Sequence, residues 1–244
     1  MEQLLSTLRF DRMTAACAGV ATVRQGDFYG FFGGDGLYAP CVWEKADYFR
    51  EGLAAVRRGG KWGFIDRRGE LVVPCVWEDA GIFEEGLAWV RQDGKLGFVS
   101  ERGELVIPCV WDGAGHFSEG LAQVKRGGKW GFIDRRGEMA VPCVWDEAQA
   151  FADGLAAVRR GEKWGFINGR GELALPRVWE DAFSFDGGIA RVRRRGKWGL
   201  IGVDGATILP CVCTRRMLLT SRGYGFALQK HRLRVFDRRG ELAL

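Results

Sequence analysis

The stretch GLAAVRRGGKWGFIDRRGELVVPCVWEDA at residues 52–80 returns almost letter for letter as GLAQVKRGGKWGFIDRRGEMAVPCVWDEA at residues 120–148. The offset is two periods of 34 residues, and the same period runs through most of the chain. All six prolines (Pro40, Pro74, Pro108, Pro142, Pro176 and Pro210) fall 34 residues apart without insertion or deletion. Trp43, Trp77, Trp111, Trp145 and Trp179 stand three positions after a proline, and Phe49, Phe83, Phe117, Phe151 and Phe185 nine positions after. A fixed period of this size is the signature of a repeat architecture, whose units bury their apolar faces against their neighbours.

Within a period the patterning reads as three strands. Gly86-Leu87-Ala88-Trp89-Val90-Arg91 alternates large apolar with small or polar residues, as a half-buried strand does. A glycine-bearing turn leads to Lys95-Leu96-Gly97-Phe98-Val99, and Arg102-Gly103-Glu104 then makes a short turn in which Gly103 can supply a positive φ. The third strand, Glu104-Leu105-Val106-Ile107, runs into Pro108, a residue that fits a strand end or sheet edge and not a central ladder position. Each unit is thus expected to be a three-stranded antiparallel meander. The link from Trp111 through Phe117 to Gly120, about nine residues, has room for a helical turn or a structured loop.

Seven copies make a single array over 1–244: a degraded N-terminal copy at 1–40, five regular repeats over 41–210 and a degraded C-terminal copy at 211–244. The first has Tyr29-Gly30 in place of Trp-Gly and GGDG at 33–36 in the turn register. The last has Cys213 where a tryptophan is due and ends in Asp237-Arg238-Arg239-Gly240-Glu241. Atypical end copies suit the caps of an open stack, so the expected fold is an all-β open solenoid or superhelix, with a closed propeller-like toroid as the alternative.

Composition narrows the function classes. With 47% hydrophobic residues in 244 the chain is not disordered. Its 36 Lys and Arg against 31 Asp and Glu leave +5, too near balance for strong nonspecific nucleic-acid binding. No apolar run approaches the roughly 18 residues of a membrane span, and Glu2 and Asp11 interrupt the place of a secretory signal. The expectation is a cytoplasmic protein with no membrane partner, whose seven cysteines are free thiols.

Candidate residues fall into rows. The tryptophans form two ladders, Trp62, Trp130, Trp164 and Trp198 before glycine and Trp43, Trp77, Trp111, Trp145 and Trp179 after proline. They read as wedges of the repeat core, each burying on the order of 200 Å², the alternative being a platform for sugars or bases. Cys41, Cys75, Cys109, Cys143 and Cys211 recur once per unit and cannot converge on a tetrahedral metal; Cys211-Val212-Cys213 is a pair without a second pair, and His116 and His231 stand alone, so no metal or cofactor is expected. Basic stripes are expected from Arg57-Arg58, Lys125-Arg126, Arg159-Arg160 and Arg193-Arg194 at the end of the first strand, and from Arg67-Arg68 and Arg135-Arg136 in the second turn. Acidic rows run beside them: Glu44, Glu78, Asp112, Asp146 and Glu180, with Glu70, Glu104, Glu138 and Glu172. There is no P-loop, dinucleotide fingerprint or HExxH, and a role spread equally over every copy is a poor way to build one catalytic centre, so no enzyme is expected.

Read together, segments 52–80 and 120–148 resemble the bacterial WG-repeat proteins, and the resemblance spans nearly the whole chain. Leu96, Arg177 and Cys213 depart from the motif. The resemblance implies a tandem β array and a role in protein binding, and supplies no catalytic residues. The expected function is a non-catalytic scaffold for a protein partner. The alternatives are polyanion or nucleic-acid binding through the arginine rows, and lectin-like carbohydrate binding through exposed tryptophans.

Overall fold

The computed structural model describes residues 10–14, 19–33 and 36–213, and beyond them the strands Leu218–Leu219, Gly225–Gln229 and Arg232–Phe236. Gly34-Asp35 of the first-copy turn, His231 and the Arg238-Arg239 turn lie outside the described residues. The chain divides into two compact units, Met1–His116 and Phe117–Leu244. Among the described residues every regular element is a strand, and six four-stranded antiparallel sheets follow one another in tandem. A three-stranded sheet comes last.

Residues 45–77 illustrate the plan, as the strands Lys45–Ala46, Leu53–Arg58, Lys61–Asp66 and Leu71–Trp77 in that spatial order. The three-stranded unit expected from the pattern is therefore corrected to four strands. The added one is Lys45–Ala46, which pairs with Arg57 and Val56 and leads off the link that the sequence left as a loop or helical turn. Two residues are too short to carry a period of two, so hydropathy alternation cannot reveal such a strand.

Local chemistry fixes the turns. Asp66 Oδ1 accepts from the Arg68 N–H (2.8 Å) and the Glu70 N–H (3.0 Å) while Gly69 takes φ 79°, which explains the Asp-Arg-Arg-Gly-Glu signature. Asp134 repeats these bonds, and Asn168 does so with an amide oxygen. The proline strand is bulged: Trp62 pairs with Trp77 and Phe64 with Val73, so Pro74, Cys75 and Val76 on the edge stand opposite Gly63 alone, two residues more than a regular ladder holds. That bulge presses on the neighbouring glycine. A Cβ on Gly63 would meet Val73 O at 2.4 Å and Cys75 N at 2.8 Å, which is why glycine follows the tryptophan.

Within each unit, cores lie between consecutive sheets. In the first unit, Leu53, Ala55, Phe64, Val73, Trp77 and Phe83 pack on Ala88, Val90 and Val99 of the next sheet. In the second unit the same places are filled by Leu155, Ala157, Phe166, Leu175, Trp179 and Phe185 against Ala190, Val192 and Ile201. The link phenylalanine meets the one in the Trp-Gly strand edge to face at 4.8 Å, in Phe64–Phe83 and Phe132–Phe151 alike. Large residues thus project from one face of a sheet into small ones on the next.

Candidate binding surface

A meander places successive turns at opposite ends of its sheet. The hairpin carrying Arg57 and Arg58 and the turn carrying Arg67 and Arg68 are separated by the six-residue strand Lys61–Asp66, about 20 Å. The same holds for Lys125 and Arg126 against Arg135 and Arg136 across Lys129–Asp134. The basic residues offered by the sequence as one surface are two separate sets.

At the hairpin end most of the cations have partners. Arg57 lies 3.8 Å from Glu44, Arg159 2.5 Å from Glu147 and Arg193 3.9 Å from Glu180. The Arg58 guanidinium sits over the Trp43 ring at 4.1 Å, and Lys125 and Arg193 approach the Trp130 and Trp198 rings at 5.6 Å and 6.0 Å. Lys95 pairs with Asp112, and Lys129 with Asp146. Arg126 and Arg160 are exposed, and the Arg160 carbonyl accepts from the Arg177 side chain at 3.3 Å. At the other end Arg67, Arg68, Arg135 and Arg136 are exposed around their acid-held turns.

The acidic row has a structural task. Glu78 accepts from the Asp93 and Gly94 N–H groups at 3.1 Å each, and Glu180 from those of Arg195 (2.8 Å) and Gly196 (2.9 Å), closing the hairpin of the same sheet. Asp146 takes the Gly161 N–H at 2.6 Å. A hydrogen bond from Lys129, then that from Gly161, holds the Asp146 carboxyl below its ordinary value. The Gly196 N–H, followed by that of Arg195, does the same for Glu180.

The tryptophans turn inward. Trp43, Trp77, Trp111, Trp145, Trp164, Trp179 and Trp198 are buried, and Trp62 and Trp130 half-buried. A stacking ladder for sugars needs open ring faces in successive copies, and seven of these nine rings are buried. The row cysteines sit on the bulge, where Cys109, Cys143 and Cys211 each donate to a valine carbonyl at 3.8 Å. Among the described residues no group of three or more His, Cys, Asp or Glu could hold a metal, and no helix is long and apolar enough to cross a membrane.

What sequence reasoning missed is an exposed aliphatic set on the proline strand. Leu71, Val72 and Val76 recur as Leu105, Val106 and Val110, with Met139, Val144, Leu173 and Val212 continuing the positions; Val76 is 58% exposed and Leu173 50%. Each lies on the last strand of its sheet, an edge. The signal was present in Leu71-Val72-Val73: three consecutive aliphatics cannot all face inward on a period-two strand.

A family model described as WG containing repeat matches residues 39–62, 62–95, 97–130, 130–164 and 164–198. No curated protein sequence matches the chain. Solved structures do. The crystal structure of a eukaryotic initiation factor aligns with TM-score 0.61 at 12% identity, over 93% of this chain and 72% of its own. KlHsv2 with loop 6CD replaced by a Gly-Ser linker aligns at 0.51 and 11%, over 90% and 89%. Hsv2 of Kluyveromyces marxianus aligns at 0.50 and 12%, over 90% and 88%. These neighbours are β-propeller-like, a likeness of fold alone.

Proposed function

We propose, from the premise that this chain belongs to the family of WG containing repeats, that it is a non-catalytic scaffold that holds a protein partner on its proline strands. The observation that carries the reading is the recurring exposed aliphatic set, Leu71, Val72 and Val76 and their equivalents. Regularly placed exposed apolar side chains favour contact with another protein over contact with a polyanion. Pro74 and Pro108 remove an edge N–H and work against simple strand addition, so recognition runs through side chains. The local pairing of Arg57, Arg159 and Arg193 with carboxylates weakens the polyanion alternative.

The test is affinity capture from a bacterial lysate with and without nuclease and across a salt series, beside the double variant Val76→Asp, Val110→Asp. A protein recovered in fixed ratio, resistant to nuclease and salt and lost with the variant at unchanged melting temperature, is the expected result. Nucleic acid that elutes steeply with salt from both proteins overturns it.

For the array itself we propose blades of propeller type in place of the open solenoid. Four strands per sheet and the alignment at TM-score 0.61 support this. A radius of gyration near about 18 Å fits it, and a clearly larger one restores the open stack.

A further inference from the structure

The hairpin of the sheet at 181–213 departs from the others at one position. Where the turn has Gly59, Gly127 and Gly161 at φ 59°, 58° and 67°, and Asp93 at 52°, this one has Arg195 at φ 52°. Glycine and aspartate visit the left-handed region readily, but a long side chain there is strained by about 1 kcal/mol. The strained arginine borders a cleft of about 490 Å³ lined by Arg194, Arg195, Lys197 and Cys211. No carboxylate or hydrogen-bond acceptor pairs with the side chains of Arg194, Arg195 or Lys197 among the described residues, in contrast to Arg193, which lies 3.9 Å from Glu180. Glu180, the carboxylate beside this hairpin, is already occupied by the turn's own N–H groups.

A second cleft, about 330 Å³, shares Arg194 and Cys211 with the first. Its walls include Val178, Trp179, Ile201 and Leu209. A cationic mouth therefore adjoins an apolar slot, in the size range of small-molecule sites. Two guanidinium forks and an ammonium suit a doubly charged tetrahedral oxyanion.

We propose that this place binds a phosphate monoester carrying an apolar group, with the phosphate among Arg194, Arg195 and Lys197 and the apolar group between Trp179 and Leu209. The proposal is independent of the scaffold reading, because the site is tested on the purified chain alone. Calorimetric titration with phenyl phosphate and with inorganic phosphate is the experiment. Phenyl phosphate is expected to saturate one site at least tenfold more tightly than inorganic phosphate. Arg195→Gly, which removes the charge and relieves the turn, should weaken phenyl phosphate at least fivefold while the melting temperature holds or rises. Leu209→Ala should weaken phenyl phosphate and leave inorganic phosphate unchanged, and Lys61→Ala, at the matching position of the sheet at 45–77, should change neither. Equal weak binding of the two anions, or an unaltered affinity in the folded Arg195→Gly protein, overturns the site.

Discussion

At Gly131 an alanine methyl would lie 2.5 Å from Val141 O and 2.7 Å from Cys143 N, against the backbone of the proline bulge. Backbone cannot step aside as a flexible side chain can, so Gly131→Ala is expected to cost about 2–3 kcal/mol in urea denaturation. The tryptophans separate by burial. Trp145, 8% exposed, should cost about 3–5 kcal/mol as alanine, and half-buried Trp130, its cross-strand partner, less. The Trp-Gly spacing was legible in the sequence; the reason for its glycine was not, because the bulge that demands it comes from residues ten or more positions later. Gly81 shows the same dependence in a single copy, since a Cβ there would strike the Trp89 indole at 2.2 Å. The large side chain at 89 is accommodated only by the missing one at 81.

Elements are joined by carboxylates. Glu51 takes φ 50° ahead of Gly52 at 85°, a two-residue turn that ordinarily prefers Asn or Gly first. Its carboxylate reaches the equivalent turn of the next sheet and accepts from the Glu85 N–H (2.9 Å) and the Gly86 N–H (2.8 Å). Glu51→Ala keeps the strained backbone and loses the clamp, and should be destabilised by about 1–2 kcal/mol. Glu51→Gly loses the clamp but relaxes the turn, and should be the more stable of the two by urea midpoint. Acid sensitivity follows from the hairpin carboxylates. Asp146 and Glu180 are held below the ordinary carboxyl range in the folded chain, so their contribution is full above an unfolded value of about 4 and is lost as pH falls through the lower folded value. The urea midpoint should be level from neutral pH to about 5, fall below about 4, and fall less in Asp146→Asn. Strand periodicity and turn residues were readable at this scale, whereas the two-residue strand and the targets of the carboxylates were not: a carboxylate in a turn looks the same whether it faces water or an N–H 34 residues ahead.

For the molecule as a whole, the period made the architecture readable as tandem all-β units, while the candidate surface was legible only in part. Rows of arginine are visible in a sequence, but their division between the two ends of each sheet and their pairing with Glu44, Glu147 and Glu180 depend on which strand lies beside which. The cysteine row gives a global readout. Burial pushes the thiols of Cys41, Cys75, Cys109 and Cys211 above their ordinary value, so thiolate is scarce near neutral pH. Alkylation followed by mass spectrometry at these four positions should be slow in the native protein and fast in urea. The forward-reaching carboxylate bears on chain length too. Glu119 bonds to the Gly154 N–H at 3.0 Å and Asp153 to that of Gly188 at 2.7 Å. A chain lacking 120–153 would join Glu119 to Gly154 and offer Glu119 to Gly188, restoring the pairing; a cut of half that length would set strand against turn. Gain or loss of one whole 34-residue step is therefore the length change that leaves this clamp with a partner.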